Sequence, residues 1–181
     1  QVVNISNLAV PTRIGTFATI DEAFSIFVSG VYAYVTGDYL QVIGISNAAV
    51  PTMVAAAGTP DSAMDVIVSG NYAYVADAYA GLEVYDITDA ALPTFMGVFN
   101  TPDWCRDVVV SGAYAYVADS GGGVQIINIS NAAVPTRMSS FGAEGTGITV
   151  SGNYAYMVAS GSGLWVLNIS DAAASTLTGA M

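Results

Sequence analysis

The sequence lacks histidine and lysine, contains one cysteine, and has only three arginines among its 181 residues. Without histidine, no side chain ordinarily exchanges a proton near neutral pH, and without lysine no Schiff base can form. A single cysteine, Cys105, excludes an internal disulfide bond. We therefore expect that the protein is not an enzyme. Paired carboxylates of the kind that cleave glycosides remain as a catalytic alternative.

Positive charge is scarce, so the 14 acidic residues give a net charge of −11. A polyanion would be repelled, and we expect no nucleic-acid partner. Long uncharged stretches such as residues 145–170 alternate with a period of two and contain glycine, which argues against a membrane span. The acidic, lysine-free composition suits a saline or an extracellular setting. The chain opens on Gln1 without a signal-peptide pattern, so we expect a mature form or a fragment.

What the chain does contain is a repeat, Ser-Gly-x-Tyr-Ala-Tyr, which begins at Ser29, Ser69, Ser111 and Ser151. A fixed period near 40 residues is typical of repeat proteins. Each Ser-Gly pair lies between two strand-like runs, and glycine supplies the positive φ that a tight hairpin turn requires. In the second run, alternate residues lie on opposite faces, so the two tyrosines share one face. The motif predicts a β-hairpin that occurs four times.

Each repeat also contains a third run, such as residues 124–129, and a fourth run that follows a Pro-Thr pair in most copies. The first three runs are apolar on both faces, and the fourth is more polar. Four-stranded antiparallel units of about 42 residues predict an all-β fold, a β-propeller, rather than a β-solenoid with its shorter coils. We expect one domain, residues 1–181, with a half-blade at 1–22 and blades at roughly 23–62, 63–104, 105–145 and 146–181.

Two segments of the second repeat resemble the LVIVD repeat. Residues 65–77 read Asp-Val-Ile-Val-Ser-Gly-Asn-Tyr-Ala-Tyr-Val-Ala-Asp, and residues 81–89 read Gly-Leu-Glu-Val-Tyr-Asp-Ile-Thr-Asp. The resemblance covers nearly the whole chain and implies β-propeller blades in a secreted or cell-surface protein of bacteria or archaea. It implies nothing about activity, because the motif is structural. The last repeat departs from the pattern at Gly147, at Ser160 and at Ser175, where proline is missing.

The repeat count is uneven, with five copies of the third and fourth runs but four copies of the first and second. The half-blade at the N-terminus therefore has no inner hairpin, and its strand with Val2, Val3 and Ile5 exposes an edge. We expect this edge to pair with copies of the same chain, head to tail, or with further blades of the same polypeptide. The product would be a larger propeller, an oligomer or a filament.

A candidate ligand-binding site lies at the entry to the third inner strand, where Asp103, Trp104 and Arg106 break the uniformity of the repeats. Trp104 does not recur in the other repeats, and a glycan or a protein is the expected ligand. The alternative for Trp104 is packing in the core.

The remaining acidic residues mostly occupy repeat positions, which favours structural roles. Asp77 and Asp119 are expected to cap the backbone donors of the glycine-rich turns that follow them. Asp65 and Asp107 begin inner strands and are expected to bond to a neighbouring blade. Calcium bound by aspartates such as Asp86 and Asp89 is an alternative, but no EF-hand spacing occurs, and we expect no cofactor.

Three asparagines at one position of the repeat, Asn4, Asn128 and Asn168, match the N-glycosylation pattern. The alternative is that asparagine suits a strand end that leads into a turn. Taken together, the sequence predicts a non-enzymatic extracellular structural or adhesion module. A propeller that binds a glycan or protein ligand is the alternative.

Overall fold

A computed structural model describes residues 1–142 and 144–180, and these residues form 18 β-strands and no helix. The predicted all-β class is confirmed. The described residues therefore include no helix that is long and apolar enough to cross a membrane. Met181, the end of the predicted last blade, lies outside the described residues.

The strands form a half-blade and four blades, which we number in chain order. The half-blade is the hairpin of β1 (Val2–Asn4) and β2 (Thr12–Gly15). Blade 1 comprises β3 (Ser25–Ser29), β4 (Tyr32–Thr36), β5 (Tyr39–Gly44) and β6 (Thr52–Gly58). Blade 2 comprises β7 (Asp65–Ser69), β8 (Tyr72–Asp77), β9 (Gly81–Asp86) and β10 (Thr94–Phe99). Blade 3 comprises β11 (Cys105–Ser111), β12 (Tyr114–Asp119), β13 (Gly123–Asn128) and β14 (Thr136–Phe141). Blade 4 comprises β15 (Gly145–Ser151), β16 (Tyr154–Ala159), β17 (Gly163–Asn168) and β18 (Thr176–Ala180).

Every blade is an antiparallel meander in which each strand pairs with the next strand of the sequence. The inner hairpin turns at the predicted Ser-Gly pair. Gly112 has a φ of 59° and Ala113 follows it, which is the pattern of a two-residue II′ turn. The same glycine recurs with positive φ in the other three blades, so the prediction of four inner hairpins is confirmed.

The core lies between blades rather than inside one sheet. Tyr116 and Ala118 point from blade 3 towards Met157 and Leu167 of blade 4, whereas Val117 faces the cluster shared with blade 2. Alternate residues of each strand therefore serve two different interfaces. Tyr34, Tyr74 and Tyr116 of the repeated motif are buried between blades in this way. Burying one apolar side chain of this size contributes about 1.5–3 kcal/mol.

Backbone bonds hold each inner strand to the blade before it. The amide of Ala63 donates to Gly37 O over 2.8 Å, that of Cys105 to Ala78 O over 2.9 Å, and that of Gly145 to Ser120 O over 3.1 Å. This contact repeats at all three junctions between complete blades. It brings the turn between the second and third strands of one blade against the entry loop of the next blade.

Candidate functional site

In blades 2 and 3 the loop that enters the inner strand is held by a pair of aspartates. Asp77 Oδ2 accepts the amide proton of Asp61 over 3.0 Å, and Asp119 accepts that of Asp103 over 3.2 Å. The prediction that Asp77 and Asp119 cap the glycine-rich turns is therefore wrong in its partner. The side chains of Asp61 and Asp103 cap those turns instead, because they face them across the blade junction.

Trp104 lies at the junction of blades 2 and 3 and contacts two side chains. The ring of Tyr79 meets it edge-on at 4.8 Å between centroids, and the Arg106 guanidinium lies 6.0 Å from its centroid. Arg106 Nε donates to Ser120 Oγ over 2.6 Å. Tyr79 and Arg106 are exposed, and Trp104 is half-buried. The structure thus joins Trp104 and Arg106, and it adds Tyr79, which comes from the turn after β8.

Asp103, the third predicted residue, belongs to the frame of the loop. Its carboxylate accepts the amide protons of Trp104 and Gly121, over 2.8 and 3.0 Å. In blade 2 the carboxylate of Asp61 accepts those of Ser62 and Tyr79 in the same way. Asp103 therefore positions the backbone on which Trp104 stands. Next to it, Cys105 is fully buried, and burial raises the pKa of its thiol, which is the state of an inert structural cysteine.

A second group of acids is buried inside blade 2. Glu83 is 2% exposed and Asp77 is fully buried, with Val75 opposite Glu83 in the sheet. Burial raises the pKa of Glu83 to about 7 and that of Asp77 to about 6, and the charge of Asp77 further raises the pKa of Glu83. Tyr85 donates a hydrogen bond to Glu83, which lowers the pKa of Glu83 in part. Both carboxyl groups therefore hold a proton at a higher pH than exposed carboxyl groups do.

The inner-strand aspartates bond to neighbouring blades, as predicted. Asp65 accepts the hydroxyl proton of Ser25 over 2.6 Å and the amide proton of Val108 over 3.1 Å. Asp107 accepts the amide proton of Ile148 over 2.6 Å. Burial, together with a hydrogen bond to Asp65, raises the pKa of Asp107. The two carboxyl groups therefore link four successive inner strands.

The predicted glycosylation residues share one geometry. The Oδ1 atoms of Asn4, Asn128 and Asn168 accept the amide proton two residues on, over 2.9, 2.9 and 3.0 Å. Asp86 makes the same bond to Thr88, so the turn role weighed from the sequence is confirmed. Glycosylation of these asparagines stays a prediction.

Calcium was the metal weighed from the sequence, and its candidate ligands can be located in the part of the chain that the structure describes. No group of three acidic, cysteine or histidine side chains there could hold an ion. Asp86 and Asp89, the aspartates weighed for calcium, each accept an amide proton of the following turn, over 2.8 and 3.0 Å.

Four consecutive segments of the chain match the family model of the LVIVD repeat, at residues 22–59, 60–101, 105–143 and 144–181. The chain belongs to the LVIVD repeat family. The resemblance seen in the second repeat is thereby confirmed, and the matched segments follow the four blades. None of the curated proteins compared with this LVIVD chain matches it significantly.

Several solved structures are similar in fold to this chain. Their sequence identities to it are low, so the similarity concerns the fold alone. The computationally designed Ika4 protein is 10% identical, with a TM-score of 0.70 over 83% of this chain and 93% of that one. The designed Ika8 protein, also 10% identical, gives 0.66 over 83% of this chain and 46% of its own. A putative 6-phosphogluconolactonase from Bacteroides uniformis is 16% identical, with a TM-score of 0.79 over 95% of this chain and 59% of that one. The LVIVD chain thus spans about three fifths of that last protein.

Sequence reasoning missed Tyr79 and Glu83 because both lie within well-formed repeats. A position-by-position comparison of the blades would have shown both. Tyr79 occupies the place of Gly121 and Gly161, and Glu83 that of Gln41 and Gln125.

Proposed function

We propose that the protein is a non-enzymatic, extracellular structural module that assembles head to tail through the end faces of its row of blades. The single observation that carries this proposal is the exposure of Ile26 at one end of the row and of Val158 and Leu164 at the other end, although their equivalents in blade 3 are buried. The C-terminal face is formed by Tyr154, Val158, Leu164 and Val166. The N-terminal face is formed by Phe24, Ile26 and Val28 with the groove beside them.

The C-terminal face lies on the outer side of blade 4. Val158 is 56% exposed and Leu164 is 40% exposed. The equivalent residues of blade 3, Ala118 and Val124, are fully buried because blade 4 covers them. Repeat proteins that end in solvent carry a polar outer face on the last repeat. This blade instead keeps the apolar surface of a repeat that has a successor.

The N-terminal face lies on the opposite side of blade 1. Ile26 is 63% exposed, whereas its equivalents Val66, Val108 and Ile148 are 3%, 3% and 8% exposed. Beside it a groove of about 330 Å³ is lined by apolar side chains that include Phe17 and Phe24. The half-blade covers the outer part of blade 1, and the groove occupies the place of its absent inner hairpin.

The two faces are the two halves of the junction that already occurs three times within the chain. Each internal junction pairs the outer side of one blade with the near side of the next. In a solution of this chain, a second copy can supply the missing half at either end. Because the paired surfaces are unlike, the contact is heterologous and can extend into a ring or a filament.

An extracellular location is supported by the acidic, lysine-free composition and by the resemblance to surface-protein repeats. The lack of catalytic function is supported by the absence of histidine and lysine from the sequence. It is also supported by the structural bonds of the inner-strand aspartates. Adhesion at a cell surface is compatible with the same assembly.

A complementation experiment tests the assembly. Ile26→Glu disables the N-terminal face and Val158→Glu the C-terminal face. We expect wild type to show concentration-dependent association in sedimentation velocity. Each single variant alone should remain monomeric, because every contact requires one intact face of each kind. A double variant should be monomeric throughout.

The double variant has neither face intact, so it should not associate with either single variant. An equimolar mixture of the two single variants must still form a 1:1 complex through the one intact pair of faces. Val134→Glu, which places the same charge on an exposed loop residue, is the matched control and should leave association unchanged. A wild type that stays monomeric at its highest soluble concentration would overturn the proposal.

A further inference from the structure

The four blades provide internal references that separate residues needed for the fold from residues that are not. Tyr79, Trp104 and Arg106 each depart from what the other blades carry at the same place. Their counterparts are Gly121 and Gly161 for Tyr79, Glu22, Ser62 and Glu144 for Trp104, and Phe24, Met64 and Thr146 for Arg106. These three departures come from two blades, yet the fold brings them into one cluster.

The backbone beneath the cluster needs none of these side chains. The amide of Tyr79 donates to Asp61 over 3.3 Å, and that of Gly121 donates to Asp103 over 3.0 Å. The amide of Trp104 donates over 2.8 Å, and Ser62 makes the equivalent bond over the same distance. Glycine and serine thus support the same loop geometry in the neighbouring blade.

The cluster also carries costs that stability does not explain. Tyr79 is 64% exposed, and the residue before it, Ala78, has a φ of 38°. Ala78 is the only non-glycine residue with a positive φ among residues 1–142 and 144–180. Such strained backbone conformations tend to occur at functional sites. Trp104 Nε1 is buried and finds no hydrogen-bond acceptor among the described residues, which is unfavourable for a residue of the fold alone.

We propose that Tyr79, Trp104 and Arg106 form a binding site for a neutral carbohydrate. The apolar C–H face of a pyranose ring packs flat against one aromatic ring, here the exposed ring of Tyr79 that meets Trp104 edge-on, and the exposed Arg106 guanidinium can donate to ring hydroxyls. Aromatic side chains with a few fixed polar groups are typical of small-ligand sites. Arg106 is itself held over Trp104 and by Ser120, so little order is lost when a ligand binds.

A neutral sugar fits the charge of the protein better than an acidic one. The net charge of −11 repels anionic polymers, and one arginine offsets little of it. A protein partner is also less suitable, because stable protein interfaces bury about 800 Å² on each side. Three side chains on one loop junction suit a ligand of one or two sugar units. The site lies on blades 2 and 3, so it is independent of the end faces through which we propose assembly.

The test is isothermal titration calorimetry of the full chain with neutral oligosaccharides built from glucose, mannose, galactose, xylose or N-acetylglucosamine. We expect at least one of these probes to bind saturably. Tyr79→Gly and Trp104→Ser, which install the residues of neighbouring blades, should each weaken binding at least tenfold. Trp104→Phe keeps an aromatic face and should restore part of the affinity.

Unchanged melting temperatures would show that the two substitutions preserve the fold. The matched control is Phe95→Ser, which removes an aromatic residue that is 50% exposed on an outer strand and should not alter binding. In a Trp165→Phe background, the fluorescence of Trp104 should shift on binding. Absence of binding by every neutral probe would overturn the proposal. So would binding of acidic glycans or proteins alone, or an affinity that survives both Tyr79→Gly and Trp104→Ser.

Discussion

The hydroxyl of Tyr85 donates to Oε2 of Glu83 over 2.7 Å inside blade 2. This bond offsets part of the cost of burying the carboxyl group of Glu83, which lies near the second buried carboxyl group, that of Asp77. Blades 1 and 3 have glutamine at the position of Glu83. Blade 2 alone therefore carries a group there whose charge depends on pH.

Glu83→Gln is expected to stabilise the protein above neutral pH. The pKa of Glu83 is about 7 in the folded chain against an ordinary 4.5, so the folded state binds the additional proton between these values. The free energy of unfolding of the wild type should therefore fall as the pH rises through this window and level off above it. Up to about 3 kcal/mol corresponds to such a shift.

Urea unfolding at pH 5 and pH 8 measures the effect. The variant should lose less stability between the two values than the wild type, although Asp77 still titrates near pH 6. Equal losses in wild type and variant would contradict the assignment of this proton to Glu83.

Asp65→Ala is expected to destabilise the protein by about 2 kcal/mol, because the amide of Val108 loses its acceptor in a buried place. The hydroxyl of Ser25 loses its partner as well. Thermal unfolding followed by circular dichroism measures the loss. Gly147→Ala is the matched control at the equivalent position of blade 4. Its new Cβ would lie 3.5 Å from Asp107 Oδ2, an ordinary contact, and a comparable loss there would refute the explanation.

Gly97→Ala is expected to be more damaging than Gly58→Ala, although both glycines lie in outer strands. A Cβ on Gly97 would lie 2.6 Å from the carbonyl oxygen of Ala133 in the next blade, so blades 2 and 3 would have to separate. A Cβ on Gly58 would meet only Tyr39, at 3.9 Å. We expect the first substitution to lower the melting temperature by several degrees, as about 1–3 kcal/mol of overpacking does. The second should be neutral or slightly stabilising, and equal effects would contradict this account of the blade contact.

The repeating parts of the fold could be predicted from the sequence because local chemistry determines them. The Ser-Gly pair before Tyr114 fixes the inner hairpin, and alternation then assigns Tyr116 and Val117 to opposite faces. Non-local contacts were harder to predict. Nothing in the sequence shows that Tyr79 reaches Trp104, because their contact depends on how two blades pack. The sequence also does not show that Asp77 accepts the amide proton of Asp61, because this contact too depends on the packing of two blades.

The meander described for each blade has a mechanical consequence. Each strand pairs with its neighbour in the sequence, and the extensive contacts outside a blade join it to the adjacent blades. A chain stretched from its two termini would therefore give way one blade at a time, starting from an end. Each event would release on the order of 100 Å of slack. Under tension, such a module would unfold blade by blade, and it would shorten again as the blades refold when the force is removed.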